Sequence, residues 1–188
     1  MKKRIMTGII VIIVLFGIWG ILVKRANKEF PQTKEIVYNN NEWVTAEVLG
    51  KNIEVKVQDG YFMEEQEIRD SGKVPEEAFF ATDIRLLWIR FSVRNSGTEA
   101  IEVSPLQLSA ESRGWSNVAD REFLSYLSED DEGWSIQLSA GEEKEFCYPY
   151  LMVQQNFRKS EWEKVYEKEY WMTLSLYPEK KMIPIEII

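Results

Sequence analysis

The sequence predicts an all-β sandwich preceded by one N-terminal transmembrane helix. An uncharged apolar run opens the chain at residues 5–23. Several later segments alternate apolar and polar residues with period two, and the stretches between them carry turn chemistry without a sustained helical period.

Residues 5–23 are 19 positions without a charge, and 13 of them are Ile, Val, Leu or Phe. Lys2, Lys3 and Arg4 precede the run, and Lys24 and Arg25 follow it. As a helix it would span about 28 Å, close to the hydrocarbon thickness of a bilayer. Its aliphatic and Phe side chains favour insertion by about 4 to 8 kcal/mol. A cleaved signal peptide normally has an apolar region of about 7 to 15 residues and a small-x-small site. Here Lys24 occupies the minus-three position for a cut after Ala26, which favours an uncleaved anchor. No cysteine stands at the end of the run to accept a lipid. A short basic tail ahead of a large domain places the N-terminus inside and the body outside, a single-pass cell-membrane protein with an extracytoplasmic C-terminal domain. Gly8, Gly17 and Gly20 do not fall at four-residue spacing, so no GxxxG dimerisation face is expected. The predicted organisation is a cytoplasmic tail at 1–4, an anchor at 5–23, a polar stalk at 24–42 punctuated by Pro31, and a sandwich domain at 43–188.

In the body, Ile53, Val55 and Val57 share one face of a predicted strand, with Glu54 and Lys56 on the other. Leu87, Ile89, Phe91 and Val93 form a second such face, opposite Arg90, Ser92 and Arg94. The turn at residues 94–98 leads into Ile101, Glu102 and Val103, which read as an adjacent antiparallel strand, and Leu106 and Leu108 continue the pattern. Trp134, Ile136 and Leu138 alternate and place Trp134 in the core; a turn at 139–142 then introduces a strand at 145–153. Gly97 and Gly141 sit at the two turn tips, where positive φ is expected. Tyr170, Met172, Leu174 and Leu176, a turn at 178–181, and Ile183, Ile185 and Ile187 close the chain as a hairpin. Pro184 suggests an edge position for the last strand.

Three segments depart from this pattern. Residues 61–80 are acidic, contain Gly72 and Pro75, and read as a long loop with at most a helical turn. Residues 120–127 suit a short helix capped by Asp120, with Phe123, Leu124 and Leu127 inward. Residues 160–168, rich in Glu and Lys, suit a helical turn between strands.

Composition removes much of ordinary catalysis. There is no histidine, which excludes triads with a histidine base, His-ligated zinc and His-ligated haem. The single cysteine, Cys147, excludes an intrachain disulfide, a Cys-rich metal site and a CxxC redox pair. In its predicted strand Cys147 reads as a small buried apolar residue with no redox role. Beyond residue 23 the chain holds 20 Lys and Arg against 31 Asp and Glu, a formal net of −11 that repels nucleic acid and anionic surfaces.

Carboxylate groups recur at Glu64, Glu65 and Glu67, at Glu76 and Glu77, at Glu129, Asp130, Asp131 and Glu132, and at Glu142 and Glu143. Neighbours in a loop do not supply the roughly 5 to 9.5 Å separation of a glycosidase pair, so they read as solvated loops. The run at 129–132, followed by Gly133, offers the hard oxygens calcium takes but not the D-x-D-x-D-G spacing. No catalytic residue, cofactor or metal ligand is therefore assigned. Trp88 and Trp171, with Tyr177 beside the latter, fall opposite the main apolar set of their strands. They mark either a second buried face or a partner-binding platform.

Together the N-terminal anchor, the strand ending Phe91-Ser92-Val93-Arg94-Asn95-Ser96-Gly97, the stretch from Ile101 to Leu108 and the Leu138-Ser139-Ala140-Gly141-Glu142 turn resemble a known group. It is the immunoglobulin-like, telokin-like extracytoplasmic domains of uncharacterised Firmicutes surface proteins. The resemblance spans residues 43–188, implies an immunoglobulin-like antiparallel β-sandwich, and carries over no ligand residues. The expected function is a non-catalytic, membrane-anchored binding or interaction domain at the bacterial cell surface, with an unidentified protein as partner. The alternative is a carbohydrate- or metal-binding accessory module of an envelope enzyme system.

Overall fold

The computed structural model describes residues 2–29, 31, 33–128 and 134–188, with the side chains of 2–11 outside that description. The chain divides into two compact units, Met1–Lys34 and Glu35–Ile188.

The first unit is a single helix, α1 (Lys2–Glu29). Its described apolar side chains are exposed, with Phe16 at 67%, Trp19 at 63% and Ile21 at 70%. Arg25 and Glu29 form an exposed i,i+4 pair near its end, an arrangement that adds little stability. Among the described residues no helix is long and apolar enough to cross a membrane.

The described residues of the second unit form eleven strands. The strands are β1 (Lys34–Val37), β2 (Val44–Thr45), β3 (Ile53–Glu64), β4 (Ile84–Asn95), β5 (Ile101–Val103), β6 (Ser109–Ser112), β7 (Trp115–Val118), β8 (Ile136–Leu138), β9 (Glu143–Val153), β10 (Tyr170–Ser175) and β11 (Glu179–Ile185). Three short helices interrupt them: α2 (Glu65–Asp70), α3 (Arg121–Leu127) and α4 (Lys159–Trp162). One sheet has the order β1-β11-β10-β6-β7, a second β2-β3-β4-β9, and β5 pairs with β8 alone.

The two larger sheets share one core. Val55, Val57, Ile89, Phe91, Tyr148 and Tyr150 from one meet Ala110, Tyr170, Met172 and Ile183 from the other. Phe62 on β3 meets Tyr170 on β10 edge-on at 5.6 Å, and the Tyr150 hydroxyl donates to the Leu108 carbonyl at 3.4 Å. Face-to-face sheets closing on a shared apolar layer make a β-sandwich.

The outer face of the β3-β4-β9 sheet is divided. Its apolar half carries Ile84, Leu86, Trp88, Leu151 and Val153, and is sealed by Ile68 of α2 and Phe123 of α3 in a second core. Its charged half pairs Glu54 with Arg94, Asp59 with Arg90 and Lys56 with Glu143, and the Trp43 ring lies under Lys56 and Arg94.

Several elements differ from the sequence reading. Residues 61–64 are strand: Tyr61, Phe62 and Met63 pair with Trp88, Leu87 and Leu86. Burial on both faces there erases the apolar-polar alternation that marks a half-exposed strand. The rest of that segment includes the capped helix α2, whose Glu67 carboxylate accepts the Glu64 N–H at 2.8 Å. The turn at 94–98 does not join neighbouring strands, because β4 is flanked by β3 and β9 and the chain passes to β5, which pairs with β8. Trp134 is 62% exposed, outside both cores, with Arg121 over its ring at 4.3 Å. Only Ile136–Leu138 is strand, so the alternation through Trp134 stops short of the sheet. Pro184 sits in an interior strand, since β1 covers the far side of β11; β1 itself falls within the range read as stalk. Gly141 has φ +74°, but Gly97 lies outside the left-handed region.

Other elements follow the sequence closely. Asp120 caps α3 by accepting the N–H groups of Glu122 and Phe123, both at 3.1 Å. The closing hairpin pairs Tyr170 with Ile185 and Met172 with Ile183.

Candidate functional site

The sandwich carries a cleft of about 500 Å³ whose walls are the β6–β7 turn and the segment between β9 and β10. Trp171 lines it. The alternation of β10 sends Tyr170, Met172 and Leu174 into the core, so Trp171 faces outward, half-buried, between its cross-strand neighbours Glu111 and Pro184.

The opposite wall is held rigidly although it belongs to a connection. Trp162 and Val165 are buried, and the Tyr170 hydroxyl donates to the Val165 carbonyl at 2.7 Å. Arg85 donates to the Trp162 carbonyl at 2.7 Å while its guanidinium lies 4.3 Å from the Trp162 ring and 4.5 Å from that of Tyr166. Lys168 reaches across to the Arg113 carbonyl at 3.3 Å. A backbone fixed in this way need not be ordered when its side chains engage a ligand.

The cleft is charged yet balanced. Arg113, Lys164 and Lys168 line it, and so do Glu161, Glu167 and Glu169. Arg113 and Lys164 have no ion-pair partner among the described residues, whereas Arg69, Arg85, Arg90 and Arg94 are each paired. Ser112, which also lines the cleft, is 8% exposed and shares the inward face of Ala110; among the described residues its buried Oγ has no hydrogen-bond partner.

The three aromatic residues singled out in the sequence lie in three places. Trp88 is 6% exposed in the second core, stacked on Tyr61 at 6.3 Å with the rings 6° apart, and offers no surface. The apolar cover supplied by α2 and α3 is what removes it from the binding reading. Tyr177 is 55% exposed at the β10–β11 tip, next to a cis bond to Pro178. It does not line the Trp171 cleft. Of the three, Trp171 lines the cleft.

The carboxylate groups are mostly engaged in the fold. Glu64 pairs with Arg85, Glu65 pairs with Arg69 and accepts the Ile84 N–H, and Glu76 meets the other side of Arg69. Backbone N–H donation from Ser139 holds the Glu142 carboxyl below its ordinary range. The run 129–132 lies outside the described residues. Among the described residues no three metal-ligating side chains converge. Cys147 is half-buried rather than fully buried, and burial pushes its thiol up, away from the reactive thiolate. Residues 160–168, rich in Glu and Lys, read as a helical turn between strands, and nothing in that pattern announces the buried Trp162 and Val165 that turn it into a wall.

A family model described as a domain of unknown function, DUF5028, matches residues 28–181. The chain belongs to the DUF5028 family. No curated protein matches it. Among solved structures it is similar to an uncharacterised β-sandwich protein of Clostridium difficile, at 12% identity and TM-score 0.42, covering 82% of this chain and 95% of that one. A Bacillus subtilis protein matches at 10% identity and TM-score 0.45, covering 79% and 99% of the two chains. A functionally unknown protein of Listeria monocytogenes matches at 9% identity and TM-score 0.47, covering 79% and 85%.

Proposed function

We propose that this DUF5028 chain is a non-catalytic binding domain of immunoglobulin-like type, tethered to the cell membrane by α1 and displayed outside it, with the Trp171 cleft as its ligand surface. The observation that carries the binding reading is the cleft itself: an outward indole beside Arg113 and Lys164, which have no ion-pair partner among the described residues, on walls fixed by buried Trp162 and Val165. The tether is supported by the uncharged sequence at 5–23 and by the exposure of apolar side chains at successive positions of the helix from Ile12 to Val23. Apolar side chains exposed along this stretch favour lipid over water.

Protease added to intact protoplasts tests the display. Loss of the Glu35–Ile188 unit, with residues 1–23 retained in the membrane, is the expected result. Protection of that unit, or release of the whole chain by washing, would overturn it.

A further inference from the structure

We infer that the Trp171 cleft takes a short zwitterionic peptide, one bearing both a free amine or ammonium side chain and a carboxylate. The inference rests on reading the cleft as the ligand surface, and it is independent of where the protein resides.

The cleft presents both signs of charge within about 500 Å³. A simple anion drawn to Arg113, Lys164 and Lys168 meets Glu161, Glu167 and Glu169, and a simple cation meets the reverse. A ligand with both charges pairs with each set, and neither set is then desolvated without a counter-charge. A neutral sugar could stack on the indole, but it would strip water from six charged groups and return hydrogen bonds without charge. Long polyanions are disfavoured by the formal −11 of residues 24–188. The Trp171 face supplies the apolar contact that fixes a peptide side chain.

The test uses the full chain in detergent, with calorimetry and tryptophan fluorescence, and the tetrapeptide Ala-Glu-Lys-Ala with free termini as probe. Acetylated and amidated Ala-Gln-Gln-Ala and chitotetraose are the comparison ligands. Saturable binding of the charged peptide is expected, weakened about tenfold by Trp171→Ala and by a similar factor in Arg113→Gln/Lys164→Gln, which alters exposed charge rather than packing. The affinity should also fall as salt is raised. No saturable binding, equal affinity in the variants, or equal binding of the neutral peptide would overturn the inference. Binding of chitotetraose alone, abolished by Trp171→Ala, would leave the cleft as the ligand surface and sink the peptide.

Discussion

The indole nitrogen of Trp162 donates to Asp83 Oδ2 across 2.9 Å, tying the segment after β9 to the residue that precedes β4. Trp162 is 3% exposed and its ring also packs on Phe157 at 5.4 Å, so one side chain anchors a cleft wall whose α-helix is only four residues long. Trp162→Phe keeps most of the packing and removes the donor, and should cost about 1 kcal/mol. Trp162→Ala should cost about 3 to 5 kcal/mol. Urea unfolding of the full chain measures both, and equal losses would show that the hydrogen bond, not the packing, dominates.

Asn95 is a second anchor, at the opposite end of β4. It is 1% exposed, its Nδ2 donates to the carbonyls of Glu99, Leu138 and Ser139 at 2.7, 3.1 and 3.1 Å, and its Oδ1 accepts the Gly97 N–H at 2.9 Å. Asn95→Asp removes every donor and sets a buried carboxylate against three carbonyls. A loss of about 3 to 5 kcal/mol is expected, with partial recovery at acid pH as the carboxyl is protonated. A loss below about 1 kcal/mol at neutral pH would show that those carbonyls do not depend on the amide.

These two anchors separate what the sequence discloses from what it conceals. The inward faces at residues 53–57 of β3 and 87–93 of β4, and those of β10 and β11, were legible because apolar side chains recur there at every second position, and the Asp120 cap was legible because its bonds are local. Partner choice was not: Asn95 looks like a turn residue, yet its amide reaches residues more than forty positions away. The second core was hidden for a related reason, since Trp88 and Leu86 interrupt the alternation of β4 for the benefit of α2 and α3, which are remote in sequence. Of the candidate site, Trp171 was visible by its parity on the strand. Arg113, Lys164 and Lys168 were not, because charge in a connection carries no sign of what it faces.

Two glycines differ in why they are required. A Cβ on Gly60 would lie 2.9 Å from the Trp88 carbonyl and 2.9 Å from Ile185 Cγ2, beside the β3 bulge between Val57 and Asp59. Gly141 has open space around it, and only its φ of +74° opposes a side chain. Gly60→Ala should therefore cost about 2 to 3 kcal/mol through crowding of backbone that cannot retreat, and Gly141→Ala about 1 to 2 kcal/mol through left-handed strain. Denaturation midpoints in the reverse order would contradict the close approach at Gly60.

Cys147 should react slowly in the native chain. Its thiol is half-buried and raised by desolvation, against the weaker opposing pull of Arg90 and a hydrogen bond with Tyr61. Labelling by a thiol reagent near neutral pH is expected to be markedly slower than in denaturant, and Tyr61→Ala should accelerate it by opening the side chain to solvent. Equal rates with and without denaturant would place the thiol in free solution.

Tyr61 gives the domain an alkaline limit. Burial against Trp88, reinforced by the neighbouring Cys147, pushes its phenol from about 10 up to about 12, and burial raises Tyr150 and Tyr170 in the same direction. Between these values the unfolded chain has released a proton that the folded chain retains, so the unfolded state binds fewer protons and stability falls as pH rises. The contribution is complete below about pH 10 and is lost on the way to about pH 12. Tyr61→Phe, which keeps the ring stacked on Trp88, should flatten that decline while leaving stability near neutral pH changed by less than about 1 kcal/mol. Urea midpoints measured from about pH 9 to about pH 12 decide the point. Parallel declines in the two proteins would mean that the Tyr61 phenol titrates alike in the folded and unfolded chains, and that the stacking on Trp88 does not shield it.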